Sequence, residues 1–293
     1  MSWRTVYISS QSHLSFKNNY LVVRSEDIKQ IHLSEIHTII IDNNMTSVSI
    51  YLLNELRKAK IKVIICDEKH NPSMELIPYY GAYDTSKMIA KEADWQLENC
   101  GLLWQAIVKA KIYYQGKTLE KYFKEKSKQV LEYVNDVMID DTTNREGHAA
   151  KVYFNSLFGN SFSRDDESNV INAYLNYGYS IILSMFNREI VNNGYITQIG
   201  LHHRGPKNPF NLACDLMEPF RPIVDQFTYE NAGKYFLPED KMNLVNLMNK
   251  QFMYDGKTQY LSNVISIYTR KLLNSLDTGE INNEWFVYDA IKE

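Results

Sequence analysis

The segment 200–222 reads GLHHRGPKNPFNLACDLMEPFRP. It sets two imidazoles, His202 and His203, a Pro/Asn-rich bend and two acids, Asp215 and Glu218, into an otherwise apolar stretch. Asn211 can cap a helix that begins there, and acids three residues apart lie on one side of a helix. Leu212, Leu216 and Met217 add apolar surface beside them, while Pro219 and Pro222 suit a first turn or a kink. Two acids so placed are costly to keep ionised without a cation. A divalent ion bound by carboxylate oxygens and one imidazole would relieve that cost. A second segment, NREGHAAKVYFNSLFG at 144–159, has helical periodicity and puts Glu146 on one face with Ala149, Ala150 and Tyr153. Glu146 is then either an acid in need of a partner or a first-turn glutamate favoured by the helix dipole. A lone histidine is more often structural than a ligand. On spacing alone, metal binding and plain structural roles both stay open.

Two kinds of chain must position these groups. The first third alternates: WRTVYIS, HLSFKNNYLVVRS, IHTIIIDN and IKVIICD are β-branched and aromatic runs broken by polar residues. Asn18–Asn19 suits a hairpin turn because Asn tolerates positive φ. Thr46 or Ser47 can cap a short helix running to about Lys58. After a Pro- and Gly-bearing stretch, helical periodicity takes over at 85–114, 117–138, 144–157, 168–193, 213–235, 239–252, 257–276 and 281–291. The expectation is an α+β chain: a small β-rich N-terminal domain over 1–78, a linker at 79–84, and a larger all-α domain over 85–293.

Composition narrows the class. The 293 residues are 44% hydrophobic and 23% charged, ordinary for a globular chain and unlike a disordered one. No run approaches the ~20 apolar residues of a membrane span, and MSWRTVYISS lacks a signal-peptide apolar region. Cys66, Cys100 and Cys214 are scattered and odd in number, the pattern of reduced thiols in a cytosol rather than a disulfide or zinc framework. The net charge of −3 argues against a broadly basic coat. Residues 109–128 nevertheless carry seven lysines against two glutamates, interleaved with Tyr113, Tyr114, Tyr122 and Phe123. Lys117, Lys121, Lys124 and Lys128 are spaced to lie along one helix face, which is either a solvated surface or a phosphate-contacting one.

The combination of REGHAAKVYF, NAYLNYGYSIIL and GLHHRGPKNPFNLACDLMEPFRPIVD resembles the CRISPR-associated integrase-nuclease of spacer acquisition, over essentially the whole chain. It looks most like the form found beside a single large RNA-guided effector nuclease (type II). By this resemblance the family's metal-binding glutamate is Glu146, its histidine His203 and its acidic ligand Glu218, where many relatives carry Asp. Asp215 matches a second acid that assists, and His202 stands where the family is commonly apolar. The resemblance implies Mg²⁺ or Mn²⁺ at Glu146, His203 and Glu218. It implies an endonuclease and integrase that joins a DNA 3′-hydroxyl to a CRISPR repeat. Double-stranded DNA, both prespacer and repeat, would lie on basic surface, with Arg145 and Arg204 joining the four lysines. The implied partners are a second copy of the chain, paired through the N-terminal domain, and a small ferredoxin-like companion protein, with the system's effector nuclease a further one. The implied place is the cytoplasm of a prokaryote, with no membrane. Two rival readings are an unrelated metal-dependent phosphodiesterase and a non-catalytic helical interaction protein.

Overall fold

The computed structural model describes residues 4–79 and 82–291. Residues 80 and 81, inside the expected linker, lie outside the described residues. The N-terminal part is β-rich. Strands β1 (Arg4–Ile8), β5 (Ile36–Ile41), β7 (Lys62–Cys66) and β8 (Pro72–Glu75) form one sheet in the order β1-β5-β7-β8, parallel except for β8. A second sheet runs β4-β3-β2-β6 from β2 (His13–Lys17), β3 (Tyr20–Arg24), β4 (Ile28–His32) and β6 (Ser47–Val48). The β2–β3 turn is made by Asn18 and Asn19, both at positive φ, as their side chains allow. Helix α1 (Ile50–Lys58) starts two to three residues later than expected, with Ser49 rather than Thr46 or Ser47 as the cap, accepting from Leu52 N.

Strand β5 is buried along its whole length, which is why IHTIII reads as a continuous apolar run. Its alternation divides two cores. Ile39 and Ile41 face a small core with Leu14, Leu21 and Leu52, while Ile40 joins the large core of the helices.

The helices of the larger part are α2 (Thr85–Ala93), α3 (Leu97–Glu120), α4 (Lys124–Glu132), α5 (Arg145–Phe158), α6 (Val170–Asn192), α7 (Asn211–Leu216), α8 (Arg221–Asn231), α9 (Pro238–Asn246) and α10 (Leu261–Thr278). Helix α3 is a spine, buried on most sides and touching α4, α5, α7, α8 and α10. The chain is thus α+β, β-rich first and largely helical after. Its C-terminal part is not helical throughout, however. Strands β9 (Gln251–Tyr254), β10 (Lys257–Tyr260) and β11 (Tyr288–Ala290) form a three-stranded sheet where helices were expected to run through 251, 257 and 288. Asp255 and Gly256, both at positive φ, make the β9–β10 hairpin turn. This Asp-Gly step is a strong hairpin signal that the helical periodicity around it obscured.

The lysine stripe is also reshaped. Helix α3 ends at Glu120 and α4 starts at Lys124, so Lys117 and Lys124 do not share a helix face. The chain turns at 121–123 and α4 packs back on α3, close enough that a Cβ on Gly116 would stand 2.5 Å from Leu131. Ser127 Oγ donates to the Gly116 carbonyl at 2.8 Å, tying the two helices at that point. Only glycine permits this approach, and the period of the sequence runs through it unbroken.

Candidate active site

Three segments meet at the site. Helix α5 presents Glu146 in its first turn. The turn before it is held in left-handed backbone at Asp140, Asp141 and Asn144, a conformation Asp and Asn tolerate better than most residues. The Asn144 side chain caps Gly147 N, and the Asp141 carboxylate accepts from Arg145 N at 2.8 Å and Glu146 N at 3.0 Å. The helix start is therefore saturated with acceptors, and the Glu146 side chain is left to point elsewhere.

It points at Lys111 of α3. The Lys111 ammonium lies 2.5 Å from Glu146 Oε1 and 2.5 Å from Glu218 Oε2. Glu218 opens a short 3-10 turn, Glu218–Phe220, between α7 and α8 and is 3% exposed. Its other oxygen faces Arg221 Nε at 2.9 Å. Burial by itself would raise the Glu218 carboxyl, but Arg221 and Lys111 outweigh it and hold the group below the usual carboxylate range. Lys111 in turn is held above its ordinary value, because Glu218 and Glu146 more than offset burial.

His203 arrives on the loop before α7. Its Nδ1 meets Asp215 Oδ1 at 2.5 Å, an arrangement that leaves Nε2 as the outward nitrogen. The hydrogen bond to Asp215 is the main cause that raises His203 above its ordinary value, and the charges of Glu218 and Glu146 act on it in the same direction. Asp215 is fully buried and spent on the loop. Its Oδ2 accepts from Leu201 N at 2.6 Å and His202 N at 3.0 Å, and its Oδ1 from His203 N at 3.2 Å. Gly200 is obligatory here, since a Cβ would sit 2.8 Å from Asp215 Oδ2. His202 turns the other way, stacked on Trp104 of α3 at 4.5 Å and 5°, with Nδ1 3.1 Å from Asp140 Oδ1. Trp104 also meets His203 edge-on at 5.8 Å, and the two imidazoles meet each other edge-on at 5.9 Å, so one buried indole contacts both.

Among the described residues, no three His, Cys, Asp or Glu side chains are drawn together as an ion cluster. The Lys111 ammonium takes the position that Glu146 and Glu218 share. The donor set nevertheless suits a hard divalent ion: two carboxylates converge on one positive point, and an imidazole near both has its far nitrogen anchored by an acid, as metal-binding histidines commonly do. Glu218 Oε2 is buried and meets Lys111 without a well-directed hydrogen bond, so it has a lone pair to give.

Of the residues expected to meet DNA, Arg204 is exposed beside His203. Arg145 is half-buried over the Tyr133 ring at 5.9 Å, with Asp136 3.8 Å away. Lys117 pairs with Glu120, Lys128 with Glu125, and Lys121 reaches Gln226. Lys111, Arg221 and Trp104 escaped the sequence reading, where Lys111 counted as one more lysine of the stripe. The available signal was its setting: Gln105 and Lys109 mark the partly exposed face of this stretch, while Lys111 falls off that face among the buried Ile107, Val108, Ala110 and Ile112.

Both the sequence and the fold have known relatives. The family model described as "CRISPR associated protein Cas1" matches residues 6–263. The CRISPR-associated endonuclease Cas1 of Neisseria meningitidis serogroup C (strain 8013) is 30% identical over 286 residues, covering 95% of this chain and 92% of that one. Among solved structures, a casposase bound to integration product has the same fold, with a TM-score of 0.74 at 19% identity over 96% of this chain and 92% of that one. A chain of a Cas6-RT-Cas1–Cas2 complex matches at a TM-score of 0.71 and 16% identity, over 97% of this chain and 36% of that longer one. The match of the family model along most of the chain and the near full-length relative agree: this chain belongs to the CRISPR-associated Cas1 family.

Proposed function

We propose that this chain is a divalent-metal-dependent DNA endonuclease and integrase that inserts DNA fragments into a CRISPR array as new spacers. The observation that carries it is the convergence of Glu146 and Glu218 on one cationic point, beside a histidine anchored by a buried acid, in a chain of the Cas1 family. Glu146, Glu218 and His203 would hold Mg²⁺ or Mn²⁺. When bound, the ion supplies polarisation of the scissile phosphate and neutralises its developing charge. The chain's own residues do the rest. Asp215 fixes the His203 ring and the loop behind it, Lys111 and Arg221 keep Glu218 ionised, and exposed Arg204 is placed to meet a phosphate. In integration, the 3′-oxygen of the fragment forms a bond to a repeat phosphorus and the original bridging P–O bond breaks, its oxygen leaving as a new 3′-hydroxyl. With water as nucleophile the same exchange is cleavage. No covalent bond to the protein is needed, so positioning and charge carry the rate.

The chain pairs with a second copy through residues 1–78, and residues 85–293 carry catalysis. Ile28, Met45, Ile50 and Tyr51, each more than half exposed in the N-terminal part, support such a pairing. A similarly folded chain in a Cas6-RT-Cas1–Cas2 complex supports a small Cas2 partner, of ferredoxin-like fold. The motifs at 145–154 and 200–225 support the type II form, working with its effector nuclease. Among the described residues no helix is long and apolar enough to cross a membrane, which supports a place in the prokaryotic cytoplasm. DNA lies along Arg204, Arg145 and the lysines flanking the α3–α4 turn. The test is strand transfer of a labelled duplex into a plasmid bearing one repeat, with Mg²⁺ or Mn²⁺ and with chelator. Joined product that needs the ion supports the proposal. Cleavage without joining, or no reaction with any ion, overturns it.

A further inference from the structure

The Arg221 guanidinium faces Glu218 Oε1, yet its hydrogen bonds do not fix it there. Its Nε stands 2.9 Å from that oxygen as an ion pair but is not aligned as a hydrogen bond. A guanidinium is flat and carries its N–H groups in one plane, so its orientation matters as well as its charge. Here the orientation comes from a ring: Arg221 lies over Tyr179, with its central carbon 4.6 Å from the ring centroid. Tyr179 is buried in the middle of α6 and is itself held firmly. Helices α6 and α8 meet closely beside it, where a Cβ on Gly178 would stand 2.5 Å from Val224 Cγ1. The Tyr179 hydroxyl donates to Asp225 Oδ1, a carboxylate 1% exposed and one turn after Arg221 on α8. Tyr179 thus spans one turn of α8, with the guanidinium against its ring and the acid at its hydroxyl. Arg164, from the loop before α6, stands over the same ring at 5.5 Å and is anchored by Asn172 Oδ1 and, at 2.7 Å, by Asn176 Oδ1.

We propose that Tyr179 is a positioning residue for Glu218, acting through Arg221: the ring holds the guanidinium against Glu218 Oε1, which keeps Oε2 turned to the point that Glu218 shares with Glu146. The inference rests on the metal-binding role proposed above and places part of the control of ion affinity on a ring of α6. Orientation and charge can be separated by substitution. Tyr179→Met keeps most of the buried bulk and leaves the Arg221 charge in place, but offers no ring. Arg221→Lys keeps the positive charge beside Glu218, but has no flat group to lie on the ring. Neither variant alters the net charge around the ion, so a change in ion affinity reports on how Glu218 is held.

The test titrates the full chain with Mn²⁺ in the absence of DNA and reads bound ion from the loss of the free-ion electron paramagnetic resonance signal. The parent, Tyr179→Met, Arg221→Lys and the double variant are compared. Each single variant is expected to bind Mn²⁺ about tenfold more weakly, the ordinary effect of losing a group that orients a metal ligand. Because both substitutions break one contact, the double variant is expected to lose about tenfold as well, rather than about a hundredfold. Tyr179→Phe, which keeps the ring, should stay within about threefold of the parent; a tenfold loss there would put the effect on the hydroxyl and overturn the role of the ring. A part in packing alone would lower the Tm of Tyr179→Met and leave the Mn²⁺ affinity of the folded protein untouched. Parental affinity in Tyr179→Met, or losses that add in the double variant, overturns the inference. If Tyr179→Met does not fold, Arg221→Lys decides: a weakened ion supports the inference, and parental affinity shows that charge suffices and overturns it. If the parent itself binds no Mn²⁺, the metal reading falls and takes this one with it. If the parent binds the ion and the variants match it, only this one falls.

Discussion

Two buried glutamates flank the His203 loop and meet opposite fates. Glu218 has Lys111 on one oxygen and Arg221 on the other, and is held ionised below the usual range although burial opposes it. Glu92 has one backbone N–H and no cation, and burial carries it up to about 8. Exposure is alike, 3% and 1%; the partners differ. Burial sets the cost of a charge, and only the neighbouring groups decide whether the charge is kept. The first acid is therefore equipped to meet a cation, while the second is short of hydrogen-bond donors.

The sharpest way to break this contrast is to remove the groups around the shared cationic point. Glu146→Ala, Glu218→Ala and His203→Ala should each lower metal-dependent strand transfer by on the order of 10³-fold. His202→Ala, which loses the stack on Trp104, the edge contact to His203 and the contact to Asp140, should cost less than about tenfold. Near-parental joining by any of the first three removes that residue from the set of ligands, and a reversed ranking of the two histidines moves the metal to the other ring.

Next in size is the lysine. Lys111→Met takes away the cation that balances two acids, so the ion-free protein should lose about 3 kcal/mol in urea unfolding. Added Mn²⁺ should then raise its Tm by more than it raises the parent's, because the ion now meets unbalanced carboxylates. An equal Tm rise in both proteins would mean that Lys111 does not stand where the ion binds.

The pH dependence separates the two glutamates by sign. A carboxyl raised in the folded state contributes stability that is complete below its unfolded pKa and lost as pH rises through the folded one. Glu92 should therefore weaken the fold progressively as pH rises from the ordinary carboxylate range to about 8, by on the order of 3 kcal/mol, with no further loss above it. Glu92→Gln should flatten that alkaline limb and leave the acid limb alone. Glu218, lowered in the fold, works on the acid side, where its contribution falls away as pH drops through its folded value. Tm measured from pH 4 to 9 on parent and Glu92→Gln tests this; parallel curves would deny that Glu92 is strained.

The smallest effect concerns the lysines. Because α3 and α4 are separate helices, reversing Lys117 with Lys121 and reversing Lys124 with Lys128 should act independently. Each lost phosphate contact should reduce the salt slope of duplex binding by ~0.9. An unchanged slope in both pairs takes the DNA path away from this turn.

Local chemistry was easiest to read in the sequence. Asn18–Asn19 announced its hairpin, and helical periodicity over 144–157 and 168–193 announced α5 and α6. The β9–β10 hairpin was hidden because FMY and KTQY also fit a helical period, although Asp255–Gly256 should have outweighed it. At the site, the family resemblance singled out Glu146, His203 and Glu218, where spacing alone left metal binding and structural roles open. Neither could reveal that Asp215 is committed to backbone amides, since that depends on a loop closing over it. Nor could they reveal which acids Lys111 meets, since its partners come from segments far along the chain. Periodicity describes one element at a time, and a buried ion pair between elements leaves no mark in it.

The spine helix α3 carries a further consequence for how the chain is made. Lys111 and Trp104 leave the ribosome well before α5 and long before His203 and Glu218. Until the later segments arrive, a lysine sits among Ile107, Val108 and Ile112 with no acid to balance it, and the indole has no histidine to stack on. The inner face of α3 therefore cannot close dry around a half-made chain. Long-range closure of this kind is slow and comes late in folding. Burial of the spine therefore waits on segments up to Arg221, and a chain truncated before them should be cut faster by protease than the full one.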